Sequence, residues 1–339
     1  MGKQMKVIVL MSTPENLTLD DIYNAWHKLD NLDHDLQIKY VLLDKSTTYE
    51  DRLKAIDSDA EAVIGLFIKD NVITREFLNE HPKLKYLSTL AHGFGKYDYE
   101  ATKERNLILT NTIYGDSTIA EYGFALLLDI CHNIEIHNNY IKNVYLNDTS
   151  KNKKYTKTFT RQIELYGKTM GIWGLGNIGY CTAKIAHGFG MRVISYSRHK
   201  KTGEQYDFIE QVSLDELLEQ SDVISLNTPL TANTENMVNK EVINKMKDGV
   251  ILINTARGKL IVEKDLVEAL NNGKIYAAGL DVIRDEPLLE KVPILDCPNA
   301  KITGHIAWCT RESRFRAIQM AIDNFNSYLN GNPVSVINE

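Results

Sequence analysis

The sequence predicts an α/β protein of two doubly wound parallel-sheet domains, and three features predict it. Short runs rich in Val, Ile and Leu recur along the 339 residues, separated by charged, helix-compatible segments; this alternation is the signature of strand–helix–strand units. The runs are continuously apolar rather than alternating with polar residues, which implies strands covered on both faces, as in a parallel sheet. The length suits about two domains, each large enough to bury a core.

In order, the apolar runs of the first third are residues 7–10, 38–43, 62–67, 84–90 and 107–110. After residue 168 the pattern resumes at 169–173, 191–196, 223–226, 250–254, 275–282 and 300–303. Between them, Ser213 and Glu216 form a capping box that opens a short helix. Residues 263–270 read as a helix stopped by Asn271, Asn272 and Gly273, and residues 312–329 as one stopped by Asn330 and Gly331. Residues 118–145 are the longest helical candidate. Ile119, Tyr122, Phe124, Ala125, Leu127, Leu128, Ile130, Ile134 and Ile141 give it an apolar surface too broad for one face, which predicts burial between domains or subunits. A homodimer through this helix is therefore expected. The polar run 147–160 lacks periodicity and reads as a loop or an arm reaching a neighbour.

The last helix follows the final strand of the second sheet, where that domain is already complete. It is expected to cross back, giving one domain of residues 1–113 plus 308–339 and a second, 114–307, inserted into it.

Composition narrows the function classes. A net charge of −6 argues against a nucleic-acid surface as the main partner, and the basic clusters at 151–154 and 198–201 are short. No stretch approaches the roughly 18 apolar residues of a membrane span. The N-terminal apolar run is too brief for a signal peptide and lacks a cleavage site, so it reads as a first strand. Cys131, Cys181, Cys297 and Cys309 show neither metal-binding spacing nor a paired framework. No metal is expected, and a reducing cytoplasm is the default compartment.

Residues 171–179 read GIWGLGNIG, a G-x-G-x-x-G loop at Gly174, Gly176 and Gly179. It leaves an apolar run and enters a helix-like segment, the context of a dinucleotide site in a Rossmann domain. Gly174 permits a tight turn, Gly176 admits a pyrophosphate close to the backbone, and Gly179 lets helix and strand pack. A structural glycine turn is the alternative for the motif alone.

Three polar motifs follow strands in the second half: residues 254–258 (NTARG), 279–287 (GLDVIRDEP) and 304–308 (GHIAW). In open α/β sheets the carboxyl ends of strands line the ligand crevice, so Arg257, Glu286 and His305 are expected to converge there. Singly, each has a plainer reading, as a surface ion pair, a solvated charge or a structural histidine. Together they supply an anion binder, a carboxylate and a proton donor.

With these motifs, residues 117–121 (STIAE) and residues 227–231 (NTPLT), the chain resembles the D-isomer-specific 2-hydroxyacid dehydrogenases over nearly its full length. The resemblance implies an NAD(P)-dependent oxidoreductase interconverting a small 2-oxo acid and its D-2-hydroxy acid. It implies a Rossmann nucleotide-binding domain inserted into a flavodoxin-like substrate domain. Arg257 would bind the substrate's carboxylate and carbonyl. His305 would be the acid/base, and Glu286 would orient its ring and raise its pKa. His92 and Gly93 would anchor the carboxylate through backbone N–H groups, with the His92 side chain either narrowing the pocket or facing solvent. Tyr114 and Trp308 fall at the pocket rim or serve as hinge packing. Arg257 and His305 lie on one domain and the loop at 92–93 on the other, so domain closure is expected to exclude water.

For the cofactor, the resemblance implies backbone contacts from Leu175, Gly176, Asn177 and Ile178 and an adenine pocket at Thr228 and Pro229. It places Thr255, Ala256 and Asp281 at the nicotinamide end, with Asp281 as carboxamide partner, and carries over Thr118 and Thr234 more weakly. Position 227 is Asn where many relatives have His. About 20 residues past the glycine loop an NAD enzyme places an acidic residue on the ribose. Here Ser197 stands there, followed by Arg198, His199, Lys200 and Lys201. A hydroxyl beside a guanidinium accepts a 2′-phosphate, which predicts NADP(H) over NAD(H); a solvated charge run is the plainer alternative.

Residues 304–308 resemble the glycerate-forming members, so glyoxylate or hydroxypyruvate is the expected substrate. A D-lactate-type enzyme is the nearest alternative, and Tyr114 fits it. A nucleotide-sensing protein like the C-terminal-binding corepressors is the alternative of another class.

Overall fold

The computed structural model describes residues 4–14, 16–43, 47–66, 73–91 and 97–338. The chain divides into two compact units, Met1–Gly115 with Cys309–Glu339, and Asp116–Trp308.

The first unit contains β1 (Met5–Ser12), α1 (Leu19–Trp26), β2 (Leu36–Leu43), α2 (Tyr49–Lys54), β3 (Ala62–Leu66), α3 (Arg75–Glu80), β4 (Tyr86–Thr89), α4 (Tyr99–Glu104) and β5 (Ile108–Thr110). The strands are all parallel, in the order β2-β1-β3-β4-β5, which is the flavodoxin-like order. Both faces of β1 are buried, which explains its unbroken apolar run: Ile8 and Leu10 join Phe77, Leu78 and Ala101, while Val7, Val9 and Met11 join Trp26 and Phe325. Thr18 and Asp21 cap α1 reciprocally.

The second unit begins with α5 (Asp116–His132) and α6 (Ile134–Asn139), followed by a π-helical turn at Tyr140–Tyr145. Then come β6 (Thr169–Trp173), α7 (Asn177–Gly188), β7 (Arg192–Tyr196), β8 (Glu210–Gln211), α8 (Leu214–Gln220), β9 (Val223–Leu226), α9 (Lys240–Lys245), β10 (Val250–Asn254), α10 (Glu263–Asn271), β11 (Ile275–Leu280) and β12 (Ala300–Ile302). These strands form one parallel sheet ordered β12-β11-β10-β9-β6-β7-β8, a Rossmann arrangement extended by one strand. The chain winds outward from β6 through β7 and then returns to β9 on its other side, so the topological switch lies between β6 and β9. The Ser213 and Glu216 capping box opens α8 as the local sequence predicts.

The helix expected over 118–145 is not one helix. Asn133 adopts a left-handed backbone (φ 46°) and its side-chain amide donates to the Ile130 carbonyl, ending α5. Asn tolerates that conformation better than most residues with a Cβ. The breadth of the apolar surface also has a different cause on each side of the break. Phe124, Leu127 and Ile130 of α5 pack into the core of their own unit with Met170, Ile172 and Ile253. Beyond the break Ile134 and Leu146 are 68% and 74% exposed.

The first unit is completed by α11 (Arg311–Leu329), capped by Thr310 and ending at Asn330. The tail after it covers the open edge of β5: Val336 bridges Thr110 antiparallel and the Ile337 N–H donates to the Leu109 carbonyl. Asn338, 6% exposed, accepts from the Leu109 N–H at 3.1 Å and donates to the Leu107 carbonyl at 2.7 Å. Among the described residues no helix is long and apolar enough to cross a membrane.

Asn338→Ala strips the Leu109 N–H and the Leu107 carbonyl of their partner and is expected to cost about 2 kcal/mol. The Leu109 amide should then exchange with solvent roughly 30-fold faster. Unchanged exchange at Leu109 would refute a structural role for the tail.

Candidate active site

The switch between β6 and β9 carries the glycine loop. Gly174 follows β6 with φ 102°, and a Cβ there would lie 2.7 Å from the Asn227 carbonyl oxygen. A Cβ on Gly179 would lie 2.1 Å from the Gly174 oxygen, so the turn and the helix close only with glycine at both positions. Gly176 is the N-cap of α7 and no side chain caps the helix, while the space above its Cα is open. Asn177 and Ile178 thus present helix-terminal N–H groups to a clear space, a cradle that fits the pyrophosphate of a dinucleotide.

Several other expected cofactor residues serve the loops themselves. The Ser197 hydroxyl, directly after β7, accepts from the Leu175 N–H at 2.6 Å, so that donor of the glycine loop is already engaged. Arg198, His199 and Lys200 are exposed. Thr228 donates to the Trp173 carbonyl and ties the end of β9 to β6. Thr234 donates to the Pro229 carbonyl and accepts from the Thr231 N–H, holding the turn between them. Thr118 is buried in the first turn of α5.

The other three motifs leave the neighbouring strands β10, β11 and β12. Asn254, fully buried at the end of β10, shapes the first: its Oδ1 accepts from the Ala256 N–H and its Nδ2 donates to the Arg257 carbonyl, both at 3.0 Å. Thr255 is enclosed with it, whereas Arg257 is exposed, with one guanidinium N–H on the Ala256 carbonyl at 2.7 Å. In the sequence Asn254 stands out only as part of a motif; an Asn closing a buried strand before a turn is the signal for this bridging role.

Glu286 and His305 meet. His305 Nδ1 lies 2.7 Å from Glu286 Oε2, and Glu286 Oε1 accepts from the Ile283 N–H at 2.8 Å. Burial pushes the Glu286 carboxyl up, but the hydrogen bonds from His305 and Ile283, with the charges of His305 and Arg257, outweigh it and hold the carboxyl below its ordinary value. An ionised carboxylate only accepts, which assigns the proton to Nδ1 and leaves Nε2 as the exchanging position. Nε2 makes no hydrogen bond among the described residues, and the side chain is 39% exposed. The Trp308 indole donates to the His305 carbonyl at 3.0 Å and closes the turn.

Gly258 joins two of these loops. A Cβ there would fall 1.8 Å from the Ile283 oxygen, so residues 257–258 and 283–284 are in direct backbone contact.

Tyr114 belongs to the other unit, where it is buried and its hydroxyl reaches the Leu90 carbonyl at 3.5 Å; burial pushes its pKa far up. His92 and Gly93 lie outside the described residues. Among the described residues no group of three or more His, Cys, Asp or Glu side chains is placed to hold a metal ion.

Gly258→Ala forces away the peptide between Ile283 and Arg284, and through the Ile283 backbone it disturbs the adjoining N–H that holds Glu286. It is expected to destabilise the protein by about 1–3 kcal/mol and to weaken the pair with His305, read as loss of the downfield Nδ1 proton resonance. A variant that keeps both its melting temperature and that resonance would show that the two loops are independent.

Known proteins share the sequence pattern and the fold. The sequence pattern of the D-isomer specific 2-hydroxyacid dehydrogenase, NAD binding domain, matches residues 124–307. A hydroxypyruvate reductase of Blautia hydrogenotrophica is 41% identical over 294 residues, 86% of this chain and 90% of the relative. The crystal structure of a glyoxylate reductase from Paecilomyes thermophila matches with a TM-score of 0.77 and 29% identity, covering 98% of each chain. An acyclic imino acid reductase in complex with NADPH and D-Arg matches at 0.76 and 28%, covering 98% of this chain and 99% of the other. By its matched domain and its full-length relatives, the chain is an oxidoreductase belonging to the D-isomer specific 2-hydroxyacid dehydrogenase family.

Proposed function

We propose that this enzyme reduces a small 2-oxo acid, glyoxylate or hydroxypyruvate, to the D-2-hydroxy acid with NADPH. The observation that carries the reading is the His305 and Glu286 pair, its Nε2 open, on loops that follow adjacent strands beside the Arg257 loop. The substrate class is supported by the names of the hydroxypyruvate and glyoxylate reductases that the chain resembles.

A bound nicotinamide dinucleotide supplies hydride to the substrate's carbonyl carbon. Arg257, exposed and on a turn fixed by Asn254, holds the substrate carboxylate and carbonyl through its planar fork. His305 Nε2 gives its proton to the carbonyl oxygen, and takes it back from the hydroxyl in the reverse direction. Glu286 accepts the Nδ1–H hydrogen bond throughout, which fixes the ring orientation.

The preference for NADPH rests on position 197. With Ser there, no carboxylate repels a 2′-phosphate at the end of β7, and exposed Arg198 and Lys200 supply positive charge for it. The Ser197 tie to Leu175 gives that hydroxyl a loop-holding role as well. The second copy of a homodimer covers the apolar side chains exposed beyond Asn133, among them Ile134, Ile136, Val144 and Leu146. The buried thiols of Cys131 and Cys297 suit a reducing cytoplasm.

Steady-state rates with glyoxylate, hydroxypyruvate and pyruvate are expected to give turnover in the ordinary range of about 1 to 10³ s⁻¹, with hydroxypyruvate or glyoxylate above pyruvate and NADPH above NADH in kcat/KM. Ser197→Asp with Arg198→Ala should move the cofactor preference toward NADH by roughly 10- to 100-fold. Wild type that uses NADH at least as well as NADPH would overturn the cofactor assignment, and cofactor binding without turnover on any 2-oxo acid would favour a nucleotide sensor. Light scattering at micromolar concentration should return twice the 38.6 kDa chain mass; a clean monomer would refute the dimer.

A further inference from the structure

Asp281 stands directly after β11 and is 1% exposed. Its carboxylate is largely consumed by the chain itself. Oδ1 accepts from the Thr303 hydroxyl at 2.6 Å and from the Ile306 N–H at 2.9 Å, and Oδ2 accepts from the Ala307 N–H at 2.8 Å. Its backbone is engaged on both sides too: the Asp281 N–H donates to the Asn254 carbonyl at 3.0 Å, and its carbonyl accepts from the His305 N–H at 2.7 Å. An ionised carboxylate has about four acceptor positions. Three are filled by residues flanking His305, which leaves room for one further donor.

His305 needs such a clamp. Its φ is 59°, a left-handed conformation that a residue with a Cβ keeps only where its surroundings over-determine it. Glu286 acts on the ring at Nδ1, whereas the groups fixing the backbone on either side of that ring converge on Asp281. Bonds from N–H and hydroxyl donors to a buried carboxylate are charge-assisted and about twice as strong as neutral ones. An Asn in its place would turn an amide NH₂ toward at least one donor.

Resting on the reading of His305 as the proton donor, we propose that Asp281 is a positioning residue that acts through His305. Its carboxylate holds residues 303–307 so that the imidazole Nε2 sits at a fixed place relative to the arriving carbonyl oxygen. The Arg257 turn takes its side-chain hydrogen bonds from Asn254 and not from the Asp281 carboxylate, so weakening that carboxylate acts on proton delivery more than on substrate affinity.

Two variants test this. Asp281→Asn weakens the clamp as a whole, and Thr303→Val removes one donor while leaving the carboxylate intact. In the cofactor-free protein, amide exchange over residues 303–308 should accelerate about tenfold or more in Asp281→Asn and by less in Thr303→Val. With NADPH and hydroxypyruvate, kcat should fall roughly 10²-fold and several-fold respectively. KM for the 2-oxo acid should change little, and the solvent deuterium isotope effect on kcat should rise as proton delivery becomes limiting. For Thr303→Val, the NADPH dissociation constant from fluorescence titration should match wild type. Unchanged exchange at 303–308 in either variant overturns the clamp, as does wild-type kcat in Thr303→Val or an Asp281→Asn defect confined to NADPH binding. If Asp281→Asn does not fold, Thr303→Val decides alone. Wild type without turnover on any 2-oxo acid defeats the functional reading, while the exchange measurement still decides the clamp.

Discussion

The hydrogen-bonded ladder between β10, β11 and β12 does not stop where the strands do. The Asp281 N–H reaches back to the Asn254 carbonyl, and the His305 N–H reaches the Asp281 carbonyl. Parallel strands place these three chain ends side by side, so each functional loop starts from a peptide bonded to its neighbour's. The three residues proposed for the chemistry, Arg257, Glu286 and His305, all depend on this constraint. Arg257 lies three residues past one strand end, Glu286 lies six residues past the next, and His305 three past the third. Loops of such length would wander without anchors, and the anchors are buried polar side chains, Asn254 and Asp281, at the points where the sheet hands over to the loop.

Low dielectric gives those anchors their strength. A fully buried amide bridging Ala256 and Arg257, and a buried carboxylate gathering three donors, are costly unless satisfied and stiff once they are. The partly exposed pair of Glu286 and His305 is of another kind. It stays open to solvent at Nε2, and its carboxyl is held below its ordinary pKa by partners whose effect outweighs burial.

Local signals in the sequence translated directly into structure. The Ser213 capping box, the stop at Asn330 and the continuous apolar runs of β6, β9 and β10 each depend on a few adjacent residues, and each is found where the letters put it. What the letters hide is direction. An Asp after a strand reads the same whether its carboxylate faces a ligand or gathers its own loop, so the inward role of Asp281 was not legible. Ser197 is similar, because its bond to Leu175 spans 22 positions. The break at Asn133 escaped because apolar residues continue on both sides of it, and a left-handed backbone leaves no mark on hydrophobic periodicity.

The division of the chain has a consequence for its synthesis. Val7, Val9, Ile64 and Tyr86 face Ile318, Ala321, Ile322 and Phe325 of α11, and the edge of β5 is closed by residues 336–338. On a ribosome that delivers ~5–20 residues per second, Asp116–Trp308 must emerge in between, on the order of ten seconds or more. The second unit has all of its sheet in one continuous stretch and can fold as it appears. The first, although translated earlier, waits with part of one apolar face and one strand edge uncovered until α11 and residues 336–338 arrive.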